Sequence, residues 1–133
     1  MSLKESISTC LLDKVMTLDG RATRAEYWWY ALFTSVIGFV LMGCFGFVID
    51  SIQIIENDVV KSLLAVLLVL LILCQILIFC SSISVTIRRL HDIGKNGLWI
   101  LISFLPVIGN IVLFLFLIQE SEAKDNLYGS YQN

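Results

Sequence analysis

Three long apolar blocks dominate the pattern of hydrophobic and polar positions along the chain. They cover residues 27–49, 62–87 and 98–118, and none of the three contains a charged side chain. A helix of about 20 residues crosses a hydrocarbon core about 30 Å thick, so each block is long enough to span a bilayer. Backbone polar groups in lipid must be satisfied within their own segment, which favours helices. The pattern therefore predicts three hydrophobic helical segments.

The third block differs from the other two because Pro106 and Gly109 interrupt its middle. Proline removes a backbone donor and clashes with the preceding turn of a helix, so this segment is either kinked or re-entrant. A kinked helix that still spans would place the polar, acidic tail of residues 119–133 on the opposite side of the membrane. A re-entrant hairpin would return this tail to the side from which the segment entered.

The N-terminal segment, residues 1–22, has a helical pattern of its own. Apolar residues recur at spacings of three and four, which places them on one helical face: Leu3, Ile7, Leu11, Val15 and Leu18. Such an amphipathic helix either lies on the membrane surface or packs against the transmembrane helices. The early charges Lys4 and Glu5, with no apolar run after them, argue against a cleavable signal peptide.

The start of the first hydrophobic helix is marked by polar and aromatic residues. Thr23 and Glu26 have the spacing of a capping box, which predicts a helix beginning near Arg24. Aromatic rings follow directly, and amphipathic rings favour the headgroup zone of a bilayer. We therefore expect four interface anchors: Tyr27, Trp28, Trp29 and Trp99.

Composition supports a membrane protein and excludes other classes. Hydrophobic residues make up 58% of the 133 residues and charged residues only 15%, with a mean hydropathy of +0.88. Soluble domains are nearer half apolar and a quarter charged, and disordered chains are more polar still. We interpret residues 1–133 as a single all-α membrane domain. A net charge of −2 gives no overall attraction to nucleic acid.

Cysteine and histidine usage gives no sign of a cofactor. The four cysteines lack CxxC spacing, and His91 is the single histidine. A zinc site of the usual Cys and His ligands has no plausible donor set here, so we expect free thiols, no metal and no cofactor.

The distribution of Lys and Arg predicts the orientation in the membrane. Seven basic residues lie in the N-terminal segment and in the connection after the second block: Lys4, Lys14, Arg21, Arg24, Arg88, Arg89 and Lys95. The loop between the first two blocks has one, Lys61. By the positive-inside rule, the N-terminus and the polar turn of residues 88–97 should face the cytoplasm.

Five of these cations, with two neighbours, are the candidate functional site. Guanidinium groups at headgroup depth bind phosphate bidentately, and basic pockets between helices recognise anionic lipids. The predicted site for an anion or lipid headgroup comprises Arg21, Arg24, Arg88, Arg89, His91, Asp92 and Lys95. Simple anchoring by positive charge explains the cations alone and remains the default interpretation of them.

Catalysis is the less favoured interpretation of the same residues. His91 beside Asp92 has the elements of an acid–base pair, because histidine titrates near neutral pH. Adjacent residues in a turn rarely present both groups to one substrate, and no motif ties a nucleophile to them. We therefore predict no catalytic residues and no enzymatic activity.

Four motifs resemble one known family. They are residues 20–29, the long polar motif of residues 88–97, the Leu-Pro-Val-Ile-Gly break of residues 105–109, and Asn-Leu-Tyr-Gly at residues 126–129. Together they resemble the DUF805 family of small bacterial inner-membrane proteins, whose function is unknown. The resemblance implies a multi-pass protein of the bacterial inner membrane, with recurrent polar positions at Arg21, Arg24, Glu26, Arg88, Arg89, His91, Asp92 and Gly94.

Three functions remain open at this point. The first is non-catalytic binding of anionic phospholipid or of a membrane-protein partner. The second is a subunit of an oligomeric channel or transport assembly, in which Gln75 and Asn110, the strongly polar residues inside the apolar blocks, would hydrogen-bond between helices. The third is a membrane-embedded enzyme that modifies lipids.

Overall fold

Two long helices form the frame of the fold, and shorter helical segments flank them. The structure, a computed structural model, describes residues 2–131; Met1 and the last two residues of the predicted tail lie outside that range. Its α-helices are α1 (Leu3–Ser8), α2 (Arg24–Ile54), α3 (Asp58–Asp92) and α4 (Ile108–Ile118). A π-helical segment, Thr9–Asp13, continues α1, and a 3-10 helix, Gly97–Phe104, precedes α4.

Side-chain caps define the starts of α2 and α3. The Thr23 hydroxyl accepts a hydrogen bond from the Glu26 amide at 3.2 Å. The Asn57 side chain accepts from the amides of Val59 and Val60 at 3.0 and 3.2 Å. These contacts satisfy backbone donors that a helix leaves free at its first turn. The predicted helix start near Arg24 is confirmed.

Both long helices have the length and composition of membrane spans. They contain 31 and 35 residues, or roughly 46 and 52 Å at 1.5 Å per residue. Their most apolar windows are 6% and 0% buried inside the protein. The core helix of a soluble protein would instead be buried, so lipid is the medium that covers this surface. An all-α membrane protein is confirmed.

The third apolar block folds back on itself instead of forming one straight helix. Its 3-10 helix and α4 pack together, with the rings of Trp99 and Phe116 5.3 Å apart at their centroids. Between them, the Ile108 amide donates to the Pro106 carbonyl at 2.8 Å, which makes a γ-turn centred on Val107 at φ +65°. Neither arm has the length of a span, so the block forms a helical hairpin in place of one spanning helix.

A glycine makes this hairpin possible. A Cβ at Gly109 would overlap the backbone carbonyl oxygen of Ile102 on the opposite arm. The predicted break at Pro106–Gly109 therefore needs both residues: proline ends the first arm, and glycine permits the close approach of the second.

The N-terminal segment is helical over a shorter range than its apolar pattern predicts. Helical structure ends at Asp13, and Leu18 lies half-exposed beyond it. The reason is that serines of α3 take the carbonyls near the end of the segment: Ser81 donates to Cys10 at 2.6 Å, and Ser84 donates to Thr17 at 2.6 Å. Free carbonyls at a helix end require such partners. The segment packs against α2 and α3 through the buried residues Ser6 and Cys10.

The polar turn after α3 is tighter than the sequence indicates. Helix α3 continues through Leu90, His91 and Asp92, and only residues 93–96 form the turn. Gly94 has φ +72°, a conformation that glycine adopts without strain, and the Lys95 amide returns to the Leu90 carbonyl at 2.9 Å. The extra turn of helix carries Asp92 to the arginines described below.

Three separate parts of the chain meet at one end of the fold. The Ala22 amide donates to the Arg88 carbonyl at 3.0 Å, and the Glu122 amide donates to the Asp92 carbonyl at 3.0 Å. The N-terminal segment, the end of α3 and the C-terminal tail thus lie together. We call this region the charged end.

Candidate functional site: a buried ionic network at the charged end

Three arginines and two carboxylates at the charged end lie inside the protein. We call these five residues the buried network: Arg21, Glu26, Arg88, Arg89 and Asp92. Each is at most 3% exposed. Burying a charge is costly unless it is paired and hydrogen-bonded, so the arrangement of their partners decides whether such a network is stable.

Asp92 lies between two arginines. Arg21 Nε donates to Asp92 Oδ1 at 2.9 Å, and Arg89 Nη1 donates to the other carboxylate oxygen, Oδ2. Arg21 and Asp92 are 71 positions apart, so this pair attaches the N-terminal segment to the end of α3. Asp92 thus pairs both with Arg89 of its own helix and with Arg21 of the N-terminal segment.

A second ion pair joins the two long helices. Arg88 Nη1 donates to Glu26 Oε1 at 2.6 Å, with side chains 0% and 3% exposed. Arg88 Nη2 lies 3.6 Å from the Cys10 sulfur, which lies 3.7 Å from Glu26 Oε1. Ser6 adds a hydrogen bond from its hydroxyl to the Glu26 carbonyl at 2.6 Å. The N-terminal segment therefore covers this pair.

The surroundings of Cys10 set the state of its thiol. Burial raises the pKa of Cys10 to about 11, and the neighbouring Glu26 carboxylate adds to the rise while Arg88 opposes it. A thiol with that pKa stays protonated at neutral pH, so Cys10 is not a nucleophile here.

The C-terminal tail supplies carbonyls to two arginines of the network. Arg21 donates to the carbonyls of Glu122 at 2.6 Å and Lys124 at 2.8 Å, with a longer contact to Gly129 at 3.4 Å. Arg89 donates to the carbonyls of Leu117, at 3.2 Å, and Gln119. It also donates to the Ser121 hydroxyl at 3.2 Å.

His91 is attached to the same tail. Its ring stacks on Tyr128 with centroids 3.8 Å apart and parallel planes. Its Nδ1 lies 3.2 Å from the Gly20 carbonyl oxygen, and the Asn126 side-chain amide donates to the His91 carbonyl at 2.9 Å. His91 and Asp92 point to different partners and do not form an acid–base pair with each other.

Two cations of the predicted site lie outside this network. Arg24 is exposed on α2, and no described residue forms an ion pair with it. Lys95 is partly exposed, and its ammonium group lies 5.6 Å from the centroid of the Phe116 ring.

A shallow cleft adjoins Arg24. It has a volume of about 370 Å³ and is lined by Arg24, Ala25, Trp28, Trp29 and Leu32. The two tryptophans are 38% and 41% exposed, and Trp28 packs edge-on against Phe114 of the hairpin at 5.9 Å. A guanidinium group beside exposed aromatic rings can contact the phosphate of a lipid while the rings contact the acyl chains of the same lipid.

The structure therefore divides the predicted site into two groups. Five of its members are buried and already hold protein partners: Arg21, Arg88, Arg89, His91 and Asp92. Arg24 and Lys95 remain accessible, and their role in anion binding stays a prediction. Of the predicted interface anchors, Trp28, Trp29 and Trp99 are about two-fifths exposed, whereas Tyr27 is partly buried against Trp28.

Sequence reasoning missed several residues that build the network. The sequence predicts Glu26 as a capping residue, and its amide does donate to Thr23. Its carboxylate, however, pairs with Arg88. The remaining ones are polar residues from distant segments: Ser6, Cys10, Ser81, Ser84, Asn126 and Tyr128. The one available signal was a carboxylate, Glu26, beside an otherwise uncharged apolar block.

No group of three or more His, Cys, Asp and Glu residues that could hold a metal occurs within residues 2–131. Across the same range the four cysteines are free thiols, with only Cys10 buried.

The two apolar spans, the hairpin and the charged end define an all-α membrane protein. The model of a family described as "Protein of unknown function (DUF805)" matches residues 15–130, and the chain belongs to that family. The resemblance seen in the sequence motifs is thereby confirmed.

Two relatives of known location support this assignment. The chain is 30% identical over 121 residues to the inner membrane protein YhaI of Escherichia coli (strain K12), covering 90% of this chain and 89% of the relative. It is 28% identical over 119 residues to the inner membrane protein YhaH of the same organism, with the same coverage of 90% and 89%. No solved structure matches the chain. The protein is thus an inner-membrane protein of a family whose function is unknown.

Proposed function

We propose that this protein is a non-catalytic membrane component that binds the headgroup of an anionic phospholipid at Arg24, in the cleft formed with Trp28 and Trp29. The observation that carries the proposal is the contrast between Arg24 and the other arginines. Arg21, Arg88 and Arg89 are at most 1% exposed and hold protein carboxylates, while Arg24 is exposed and has no ion pair among the described residues.

The chemistry of the cleft supports a phospholipid over a water-soluble anion. Its walls are the apolar faces of Trp28, Trp29 and Leu32, which suit acyl chains, and its one charged group is a guanidinium. Arginine binds phosphate bidentately and is more weakly hydrated than lysine, so it favours this contact at a membrane interface.

The orientation belongs to the same proposal. Of the nine basic residues, eight lie in the segments that meet at the charged end or directly beside them, and Lys61 alone lies at the opposite end, in the first turn of α3. The positive-inside rule then places the charged end, with the N-terminus, in the cytoplasm. There the cytoplasmic leaflet supplies anionic headgroups to Arg24.

A titration with a water-soluble lipid tests the proposal. Short-chain phosphatidylglycerol added to detergent-solubilised protein should change the tryptophan fluorescence, because Trp28 and Trp29 line the cleft. Arg24→Gln should weaken binding about fivefold, since one cation near anionic lipid contributes about 1 kcal/mol. The matched control is Lys61→Gln at the other end of the fold. Equal binding by wild type and Arg24→Gln contradicts the proposal.

A second candidate, a homo-oligomeric assembly, is favoured by Gln75. This side chain is exposed at the middle of α3, in a groove with Gly38, Met42 and Phe45, and has no hydrogen-bond partner among the described residues. An amide facing hydrocarbon is stabilised by a partner across a helix interface. Native mass spectrometry of wild type and Gln75→Leu tests this: loss of a discrete oligomer supports it, and monomers in both samples contradict it.

A further inference from the structure

The C-terminal tail, residues 119–131, covers the two arginines that surround Asp92. Its backbone carbonyls accept hydrogen bonds from Arg21, and Gln119 and Ser121 accept from Arg89. These oxygens occupy the guanidinium edges that would otherwise bind an oxyanion. The tail thus acts towards Arg21 and Arg89 as a neutral substitute for a phosphate.

The charge of the network favours an anion at that position. Three arginines face two carboxylates, Glu26 and Asp92, so the network has a formal excess of one positive charge. The tail oxygens that complete the hydrogen bonds belong to uncharged groups. The Glu122 carboxylate of the tail interacts electrostatically with Arg21, but it is partly exposed and is held by Asn126 and Lys124. The groups that accept the hydrogen bonds are dipoles, which compensate a buried charge less well than a phosphate in direct contact would.

The tail is attached by polar contacts and has little packed structure. It contains one isolated bridge, between Asn126 and Gly129, and Leu127 is 98% exposed. Two aromatic contacts add to the hydrogen bonds: Tyr128 stacks on His91, and the Tyr131 ring lies 5.8 Å from the Arg21 guanidinium. Segments held in this way open at low free-energy cost relative to packed helices.

The tail also carries the charge that an anionic membrane repels. It contains Glu120, Glu122 and Asp125 against the single base Lys124, a formal charge of −2. Anionic headgroups near the charged end would therefore weaken tail docking while they compete for the same arginines.

We propose that the tail is a displaceable cover over a second anion site, formed by Arg21 and Arg89 around Asp92, which takes the phosphate group of an anionic phospholipid when the tail lifts. This inference rests on the proposed function for the class of ligand, but it concerns different residues from the Arg24 cleft.

Distance measurements in nanodiscs test the cover directly. Spin labels at Leu127→Cys and Asp19→Cys, both exposed positions, report tail position by electron–electron resonance. Cys44, Cys74 and Cys80 are replaced by Ala, and the buried Cys10 is kept. Phosphatidylcholine discs should give one short distance. Discs with phosphatidylglycerol should add a longer distance, and an unchanged distribution in both overturns the proposal.

Two further arms identify the displacing group. In the first, oleate replaces phosphatidylglycerol at the same surface charge, so the discs offer a carboxylate in place of a phosphate. If the tail lifts as much with oleate as with phosphatidylglycerol, charge repulsion alone displaces it, and the second site is overturned. Inorganic phosphate added to phosphatidylcholine discs separates the two sources of phosphate. A lift with phosphatidylglycerol alone supports the headgroup, and a lift with inorganic phosphate alone overturns the lipid assignment.

A matched pair of variants checks the role of the tail contacts. Tyr128→Ala removes the stack on His91, and its lifted population should rise about fivefold in phosphatidylglycerol discs, as expected for one lost contact. Ser130→Ala, at an exposed tail position that leaves the label site at residue 127 intact, should change nothing. Equal populations in both variants contradict the cover. Equal lipid binding by wild type and Arg24→Gln, together with intact tail displacement, would overturn the proposed function and leave the cover standing as a separate result.

Discussion

Arg88 of α3 and Glu26 of α2 form a buried ion pair at 2.6 Å between two helices that are otherwise apolar where they span. The pair is 62 positions apart in sequence, and the N-terminal segment covers it through Ser6 and Cys10. A buried pair of this kind fixes one arrangement of its elements, because removing either partner leaves an uncompensated charge. The pair thus joins α2, α3 and the N-terminal segment at the charged end, from which Arg24 and the tail extend.

Removing one partner of this pair should destabilise the protein strongly. Glu26→Gln leaves Arg88 without a carboxylate, and we expect a loss of about 3–5 kcal/mol in the free energy of unfolding. Thermal unfolding in mild detergent measures it, with Glu56→Gln in the exposed loop as the matched control. Replacing both partners by apolar residues, Glu26→Leu with Arg88→Met, should recover most of the loss. An unaltered midpoint in Glu26→Gln contradicts a structural role.

The Cys10 thiol should resist alkylation until the protein unfolds. Burial raises its pKa to about 11, so the reactive thiolate is scarce at pH 8. With Cys44, Cys74 and Cys80 replaced by Ala, a small maleimide should label Cys10 only after denaturation, as followed by mass spectrometry. The labelled fraction should rise in Glu26→Gln if the N-terminal segment packs less tightly over the ion pair. Rapid labelling of the native protein at neutral pH would refute the burial.

Protonation of Glu122 should loosen the tail, and only at low pH. A hydrogen bond from Asn126 lowers the pKa of Glu122 below its ordinary value near 4.5, with a smaller contribution from Lys124. A carboxyl group with a lowered pKa stabilises the docked state above pH 4.5 and loses that contribution as pH falls through its native pKa. Burial lowers the pKa of His91, which stacks on Tyr128, so lengthening that begins below pH 6.5 belongs to His91. The Glu122 component of the spin-label distances should stay constant from pH 7 to 5 and lengthen below 4.5. Glu122→Gln should remove this component of the transition, and its persistence there would exclude Glu122 as the cause.

The hairpin should fail when Gly109 gains a side chain. A Cβ there overlaps the Ile102 carbonyl, so Gly109→Ala should separate the two arms and cost about 1–3 kcal/mol. Thermal unfolding measures the loss, and the fluorescence of Trp99, which packs on Phe116 across the arms, should shift as well. Gly38→Ala is the control, because a Cβ at Gly38 meets open space. Identical behaviour of the two variants would contradict the close approach.

The elements that local chemistry determines could be predicted from the sequence. The cap at Thr23, the lengths of the two spans and the break at Pro106 depend on residues within a few positions of one another. The end of the N-terminal helix could not be predicted in this way, since the hydroxyls of Ser81 and Ser84 that take its carbonyls lie about 70 positions away.

The candidate site shows the same division. Local sequence does not tell whether an arginine near a helix end is exposed or pairs with a buried carboxylate. The exposed Arg24 and the buried Arg88 therefore could not be distinguished. The tail has no periodic pattern, and its docking depends on backbone carbonyls that any residue provides. The burial of the buried network is therefore seen only in the folded structure.

Native mass spectrometry of the protein released from its own membrane in mild detergent is the sharpest test of headgroup binding at Arg24. Wild-type protein should retain an anionic phospholipid and Arg24→Gln should retain it several-fold less, while Lys61→Gln should behave as wild type. Retention of the same lipid at the same level by Arg24→Gln would contradict headgroup binding at this cleft.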